Sequence, residues 1–149
     1  MAGPGTLARH RVVGIDTVVW IYALEHHPEF GQRAGAVLAA VEEGGLAGVI
    51  STLVVAELLV GPFRVGGAAI ADRYAERLTT FPHLRVLAPD TAVCRAAARL
   101  RAAAPALRLP DAIHLATCLT AGATAFVTND ARVGRVDGLD VVRLRDLLL

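Results

Sequence analysis

A chain of 149 residues is long enough for one domain with a single buried core. Apolar residues make up 54% of it, yet no uninterrupted apolar run reaches the roughly 18 residues of a membrane span, so we expect no membrane contact. The 15 basic residues are all arginine and nearly balance the 14 acidic residues, which excludes a polybasic nucleic-acid surface and any mechanism that needs a catalytic lysine.

Residues 1–10 are expected to form a flexible extension, and they lack the apolar segment of a secretory signal, which predicts a cytoplasmic location. Hydrophobic periodicity, caps and glycine stops then predict the remaining elements. In chain order these are strand 11–15, helix 17–24, helix 28–43, strand 46–50, a helix from a cap at Ser51 or Thr52 to about Gly61, helix 68–79, strand 84–87, a helix capped by Asp90 to about 104, helix 111–121, strand 124–127 and strand 139–142.

Short, nearly all-apolar strands that alternate with helices predict a three-layer α/β/α sandwich with a central parallel sheet of about five strands. No repeat or linker interrupts the chain, so we expect a single domain over residues 1–149. The two cysteines, Cys94 and Cys118, fall in alanine-rich helical patterns without metal-type spacing, and both are expected to be free and buried. In such sheets ligands bind outside the carboxyl ends of the strands.

Four acidic residues stand alone among apolar or small neighbours: Asp16, Glu57, Asp111 and Asp130. Each has a structural explanation, because the three aspartates fall at or next to predicted helix N-termini and the glutamate could face solvent. The predicted fold nevertheless lets all four reach one cleft. Carboxylates that share one cleft repel one another, and a hard divalent cation such as Mg²⁺ or Mn²⁺ would relieve the repulsion.

The sequence around these acids resembles the PIN-domain ribonucleases, and among them the VapC-like toxins of bacterial type II toxin–antitoxin pairs. The matching segments span nearly the whole chain in the family's order and spacing. They are Val-Gly-Ile-Asp16-Thr17, Ala-Glu57-Leu-Leu-Val-Gly61, Leu-Pro110-Asp111-Ala-Ile-His-Leu-Ala and Thr128-Asn129-Asp130.

The resemblance implies a metal-dependent endoribonuclease in which the four acids hold Mg²⁺ or Mn²⁺, while Thr17, Thr128 and Asn129 orient those carboxylates or a metal-bound water. It also implies a homodimer, an RNA substrate cut to leave a 5′-phosphate and a 3′-hydroxyl, and a small cognate antitoxin over the cleft. Many family members carry a further acid two positions after the last aspartate and an aromatic residue one position beyond. Here those positions are Arg132 and Val133, so we expect one well-formed metal site, and a second stays open.

Within such a site, Asp16 and Asp130 are expected to anchor the metal ion, and either Glu57 or Asp111 to accept a proton from the attacking water. Arg64 and Arg132 are candidate phosphate contacts, with salt bridges to nearby acids as the alternative. His114, three residues after Asp111, could be a ligand or base, although a lone histidine on an apolar helix is more often a packed core residue with one hydrogen bond.

A catalytically inactive PIN-like module that binds RNA or protein is the alternative function, and the presence of all four acids argues against it. An aspartate-nucleophile phosphatase would need either an aspartate at the position of Val18 or a lysine, and the chain has neither. A nucleotide-binding fold is also disfavoured, because no glycine-rich loop follows the first strand.

Overall fold

A parallel five-stranded sheet forms the centre of the structure, a computed structural model that describes residues 7–147. Its strands lie in the order β3-β2-β1-β4-β5, and every neighbouring pair is parallel. The strands are β1 (Val12–Ile15), β2 (Ala47–Ser51), β3 (Leu84–Leu87), β4 (Ala125–Thr128) and β5 (Asp140–Arg143). Because β1 lies at the centre, the residue that follows it sits between the ends of β2 and β4.

Helices cover both faces of this sheet, which confirms the predicted α/β/α fold class. In the described part of the chain they are α1 (Thr17–Leu24), α2 (Gly31–Glu42), α3 (Leu53–Arg64), α4 (Ala68–Thr79), α5 (Thr91–Ala103) and α6 (Leu109–Thr120). The predicted bounds agree with these within a few residues. Helix α3 extends to Arg64, slightly past its predicted end, and carries Pro62 in its last turn, where the missing N–H removes one helical hydrogen bond.

Two apolar cores lie on the two faces of the sheet. The first packs α1 to α4 around Trp20 and Ile15, and the second packs α5 and α6 around Leu115 and Phe126. Gly14 in β1 faces the second core, where a Cβ atom would lie 2.4 Å from the Cys118 sulfur and 2.8 Å from the Phe126 ring. Glycine at this position therefore lets α6 approach the central strand closely.

The solvent exposure of the two cysteines differs from what the sequence predicted. Cys118 is buried beneath β1 and β2, as expected, but Cys94 is exposed, so that prediction is wrong for Cys94. Helix α5 is rich in alanine on all sides, and its buried positions include Val93 and Ala97. Alanine carries little information about which side of a helix faces the core, so the sequence did not fix the orientation of α5.

The chain segment before β1 contacts the edge of the sheet that β5 forms. Residues 1–6 of the expected extension lie outside the described residues, whereas Leu7 is 2% exposed within the first core. Arg9 and His10 both bond to Asp140 at the start of β5, the histidine at 3.1 Å. Among the helices of residues 7–147, none has the length and apolar character that a bilayer crossing requires.

Candidate active site

A cleft of about 440 Å³ opens at the carboxyl ends of β1 and β4. All four acids singled out from the sequence line it: Asp16, Glu57, Asp111 and Asp130. They arrive on four different elements, because Asp16 follows β1, Glu57 lies on α3, Asp111 opens α6 and Asp130 comes two residues after β4. The parallel sheet therefore brings together carboxylates that lie far apart in sequence.

Asp16 is the N-cap of α1 and is only 7% exposed. Its Oδ1 accepts a hydrogen bond from the Thr17 backbone N–H at 2.8 Å, and its Oδ2 accepts one from the Thr128 hydroxyl at 2.6 Å. Burial raises the pKa of Asp16, and these two hydrogen bonds partly oppose the rise. Within residues 7–147 no cationic side chain forms a salt bridge with it.

Glu57 projects from α3 and is held by two donors on one oxygen. The Thr17 hydroxyl donates to Oε1 at 2.7 Å, and the His114 Nε2 lies 2.5 Å from the same atom. The His114 hydrogen bond is the main reason that the pKa of Glu57 is lowered, against the opposing effect of partial burial. Glu57 is therefore held in its ionised form at neutral pH.

Asp111 lies in the first turn of α6, a helix that begins at Leu109 with Pro110 in its opening positions. Its side chain is only 6% exposed, and the Arg108 Nε lies 3.3 Å from its Oδ2. Arg108 itself lines the cleft, although the sequence analysis did not single it out. The signal was present in the sequence, since Arg108 stands three residues before Asp111, a spacing that favours contact where a helix begins.

Asp130 is paired with Arg132 and does not cap a helix, because the residues between it and β5 form turns and irregular structure. The Arg132 Nη2 donates to Oδ2 at 2.8 Å and its Nε lies 3.1 Å from Oδ1, which also accepts the Arg132 backbone N–H at 2.9 Å. These contacts lower the pKa of Asp130, the side-chain hydrogen bond from Arg132 most strongly. The helix-capping explanation of Asp130 is therefore wrong.

The remaining residues singled out from the sequence divide between the cleft and other surfaces. Thr17 and Thr128 contact the carboxylates directly, and Thr128 also accepts the Asp130 backbone N–H at 3.1 Å. Asn129 lines the cleft and accepts a hydrogen bond from the Arg145 N–H at 3.3 Å. Arg64 is exposed at the end of α3 and does not line the cleft.

The donor set of the cleft suits a hard divalent cation, since carboxylate, amide and hydroxyl oxygens are the ligands such ions prefer. Asp16 adds a physical reason, because it is a buried carboxylate that forms no salt bridge within the described residues. Across residues 7–147 the side chains as they stand do not form a cluster of three or more acids, histidines or cysteines around one point. Arg132 pairs with Asp130 and Arg108 pairs with Asp111, so a bound ion would have to share those two carboxylates with arginine.

A larger cavity, of about 700 Å³, lies at the opposite, amino edge of the sheet. Among its lining side chains, Arg9 and His10 bond to Asp140, and His10 Nδ1 lies 2.8 Å from the Thr124 hydroxyl. The cavity holds no group of carboxylates comparable to that at the carboxyl edge. The smaller cleft is therefore the better candidate for an active site.

One family model and several solved structures are similar to this chain. The family model described as PIN domain matches residues 13–139. VapBC2 from Rickettsia felis, solved bound to a DNA fragment from its promoter, gives a TM-score of 0.69 at 17% identity over 89% of this chain and 98% of that chain. DNA-bound VapBC from Salmonella typhimurium gives 0.68 at 18% identity, over 90% and 98% of the two chains.

FitAcB from Neisseria gonorrhoeae has a TM-score of 0.65 and is 21% identical, over 91% of this chain and 99% of that chain. At these identities the similarity concerns the fold. A comparison with curated protein sequences finds no match.

Proposed function

The chain belongs to the PIN domain family, and on that premise we propose that it is a Mg²⁺- or Mn²⁺-dependent endoribonuclease that acts as the toxin of a type II toxin–antitoxin pair. The observation that carries the proposal is the convergence of Asp16, Glu57, Asp111 and Asp130 on one cleft. Carboxylates that line one partly buried cleft repel one another, and a bound cation would offset that repulsion.

Asp16 and Asp130 would hold the metal ion from the ends of the two central strands, with Glu57 and Asp111 completing the site. When bound, the ion would supply a Lewis acid and lower the pKa of a water molecule that attacks the phosphodiester. Glu57 Oε2 and Asp111 Oδ1 accept no hydrogen bond from the described residues, so each acid keeps one oxygen that can either bind the ion or accept the proton of that water. Thr17 and Thr128 fix the carboxylates that they contact.

Arg108 and Arg132 would serve as the positive side of the cleft. Each is about half exposed and already lies beside a candidate metal ligand. A guanidinium offers a planar set of donors that suits phosphate oxygens, and one that leaves its aspartate on metal binding would be placed to contact the RNA backbone. Arg132 thus replaces Arg64 as the better supported of the two phosphate contacts expected from the sequence.

A protein partner is proposed from two observations. Solved structures that are similar in fold include a toxin–antitoxin complex from Klebsiella pneumoniae. On this chain, exposed apolar side chains gather where α3 ends, at Val60, Phe63 and Val65. We propose that a small cognate antitoxin covers the cleft, that two copies of the chain form a dimer, and that the protein acts in the cytoplasm.

The proposal is tested by incubating the purified protein with total RNA, in Mg²⁺ or in EDTA. Wild type should cleave only with the metal and leave 5′-phosphate and 3′-hydroxyl ends. Asp16→Asn should lose at least about 100-fold in rate, since it removes a metal ligand. Asp137→Asn is the matched control, because it makes the same change at an exposed position outside the cleft.

Metal-independent cleavage, or an Asp16→Asn variant as active as wild type, would contradict the proposal. The alternative function is a catalytically inactive module that binds RNA or protein. The salt bridges of Asp111 with Arg108 and of Asp130 with Arg132 are compatible with it, because a module without metal would keep both pairs. RNA binding that is unaffected by EDTA and accompanied by no cleavage would favour that inactive module.

A further inference from the structure

His114 is a buried histidine beside the candidate active site but not on its surface. It is 2% exposed, lies three residues after Asp111 on α6, and is not among the residues that line the cleft. Its Nε2 lies 2.5 Å from Glu57 Oε1, which connects α6 to α3. A residue this buried is poorly placed to contact RNA, and its Nε2 is already bonded to Glu57.

The two ring nitrogens of His114 have different surroundings. Nδ1 is buried without a hydrogen-bond partner in the described part of the chain. A proton on Nδ1 would therefore be buried without an acceptor, whereas a proton on Nε2 has the Glu57 carboxylate. The ring is thus assigned the form in which Nε2–H donates to Glu57 and Nδ1 carries no proton.

Both donors to Glu57 act on the same oxygen. The Thr17 hydroxyl at 2.7 Å and His114 at 2.5 Å converge on Oε1, and no hydrogen bond from residues 7–147 reaches Oε2. Two donors on one oxygen restrict rotation of the carboxylate. Partners of this kind orient metal ligands in many proteins, and removing one commonly lowers metal affinity or activity about 10–100-fold.

We propose that His114 is a positioning residue that holds Glu57 with Oε2 free for the metal ion. The inference rests on the proposed function, because it assigns His114 a role only if Glu57 is a metal ligand. Helix α6 then contributes twice to the site: Asp111 as a direct ligand in its first turn, and His114, one turn later, as the holder of the ligand on α3.

The experiment compares side chains that differ in reach. Glutamine can place its amide N–H near the position of the imidazole Nε2, whereas asparagine is shorter and cannot. Mn²⁺ affinity of the metal-free protein is measured by calorimetry, together with RNA cleavage and thermal unfolding. We expect His114→Gln to bind Mn²⁺ within about threefold of wild type and His114→Asn to bind it at least about 10-fold more weakly.

Thr117→Val is the matched control for helix packing. Thr117 is buried one turn further along α6, and its hydroxyl bonds only to the helix itself, at Ile113 O. This variant should leave Mn²⁺ affinity unchanged even where it lowers the melting temperature. Equal Mn²⁺ affinity in the Gln and Asn variants, or an equal loss in Thr117→Val, would overturn the role of His114.

A double variant separates this inference from the function on which it rests. In a Glu57→Gln background, His114→Asn should cause no further loss of Mn²⁺ affinity, because its effect passes through Glu57. An independent further loss would overturn the positioning role alone. Unchanged Mn²⁺ affinity in Glu57→Gln itself would instead contradict the proposed function.

Discussion

Replacing Thr128 with valine is expected to destabilise the metal-free protein in a pH-dependent way. The Thr128 hydroxyl is fully buried and donates to Asp16 Oδ2 at 2.6 Å. Valine has nearly the same shape but no hydroxyl, so the buried carboxylate would keep only its bond from the Thr17 N–H. The Asp130 N–H would lose its acceptor as well.

The size of the effect follows from the charge on the acceptor. A hydrogen bond to an ionised group contributes roughly 1.5–3 kcal/mol to stability. In a domain of this size each kilocalorie per mole moves the melting temperature by about 2–4 °C, so Thr128→Val should melt about 3–12 °C below wild type at about pH 8.

The pH dependence of this loss identifies its cause. Burial raises the pKa of Asp16, and the Thr128 hydrogen bond opposes that rise, so the variant should have the higher pKa of the two. When a folded-state pKa is raised, stability falls as the pH rises through it. The variant should therefore lose more than wild type at high pH, and the difference should narrow at low pH, where Asp16 is protonated in both and only hydrogen bonds between neutral groups are missing.

Urea and thermal unfolding followed by circular dichroism, in EDTA at about pH 8 and at the lowest pH at which both proteins stay folded, measure both quantities. Thr128→Ser is the control, since it keeps the hydroxyl and should lose only about 0.8 kcal/mol for the buried methyl group, at either pH. A loss in Thr128→Val that is the same at both pH values would refute the reasoning.

Three further predictions concern the cleft and the core. Arg132→Ala should bind Mn²⁺ about two- to fivefold more tightly than wild type in a calorimetric titration, because it frees the Asp130 carboxylate from a partly exposed ion pair. Unchanged Mn²⁺ affinity, or an equal gain in the control variant Arg135→Ala at an exposed position, would argue against this. A thiol reagent should modify Cys94 in the native protein and Cys118 only after unfolding, since Cys94 is exposed and burial raises the pKa of Cys118 to about 12. Fast reaction of both thiols in the native protein would contradict this prediction. Gly14→Ala should lower the free energy of unfolding by about 1–3 kcal/mol in a urea titration, because its Cβ would overlap the Cys118 sulfur. A variant as stable as wild type would show that the core adjusts freely.

The positions of Asp16, Asp111 and Asp130 could be predicted because each is tied to a strong local signal. Asp16 and Asp130 follow short β-branched runs, and Asp111 follows a proline that starts a helix. In a parallel sheet these signals suffice to place side chains at one edge. The sequence therefore contained the outline of the cleft.

The contacts of those acids could not be predicted in the same way. The bond between Glu57 and His114 depends on the distance between α3 and α6, which no local pattern determines. The exposure of Cys94 depends on the rotation of an alanine-rich helix whose faces are chemically alike. The pairing of Arg132 with Asp130 is a choice among rotamers and depends on the charges around it.

The central claim is that four carboxylates from four elements form one metal site. Calorimetric titration of Mn²⁺ into the metal-free protein, with Asp16→Asn beside wild type and Asp137→Asn as control, tests it most directly. We predict about one ion per chain in wild type and in Asp137→Asn, and affinity at least about 100-fold weaker in Asp16→Asn. Equal Mn²⁺ affinity in all three proteins would contradict the claim.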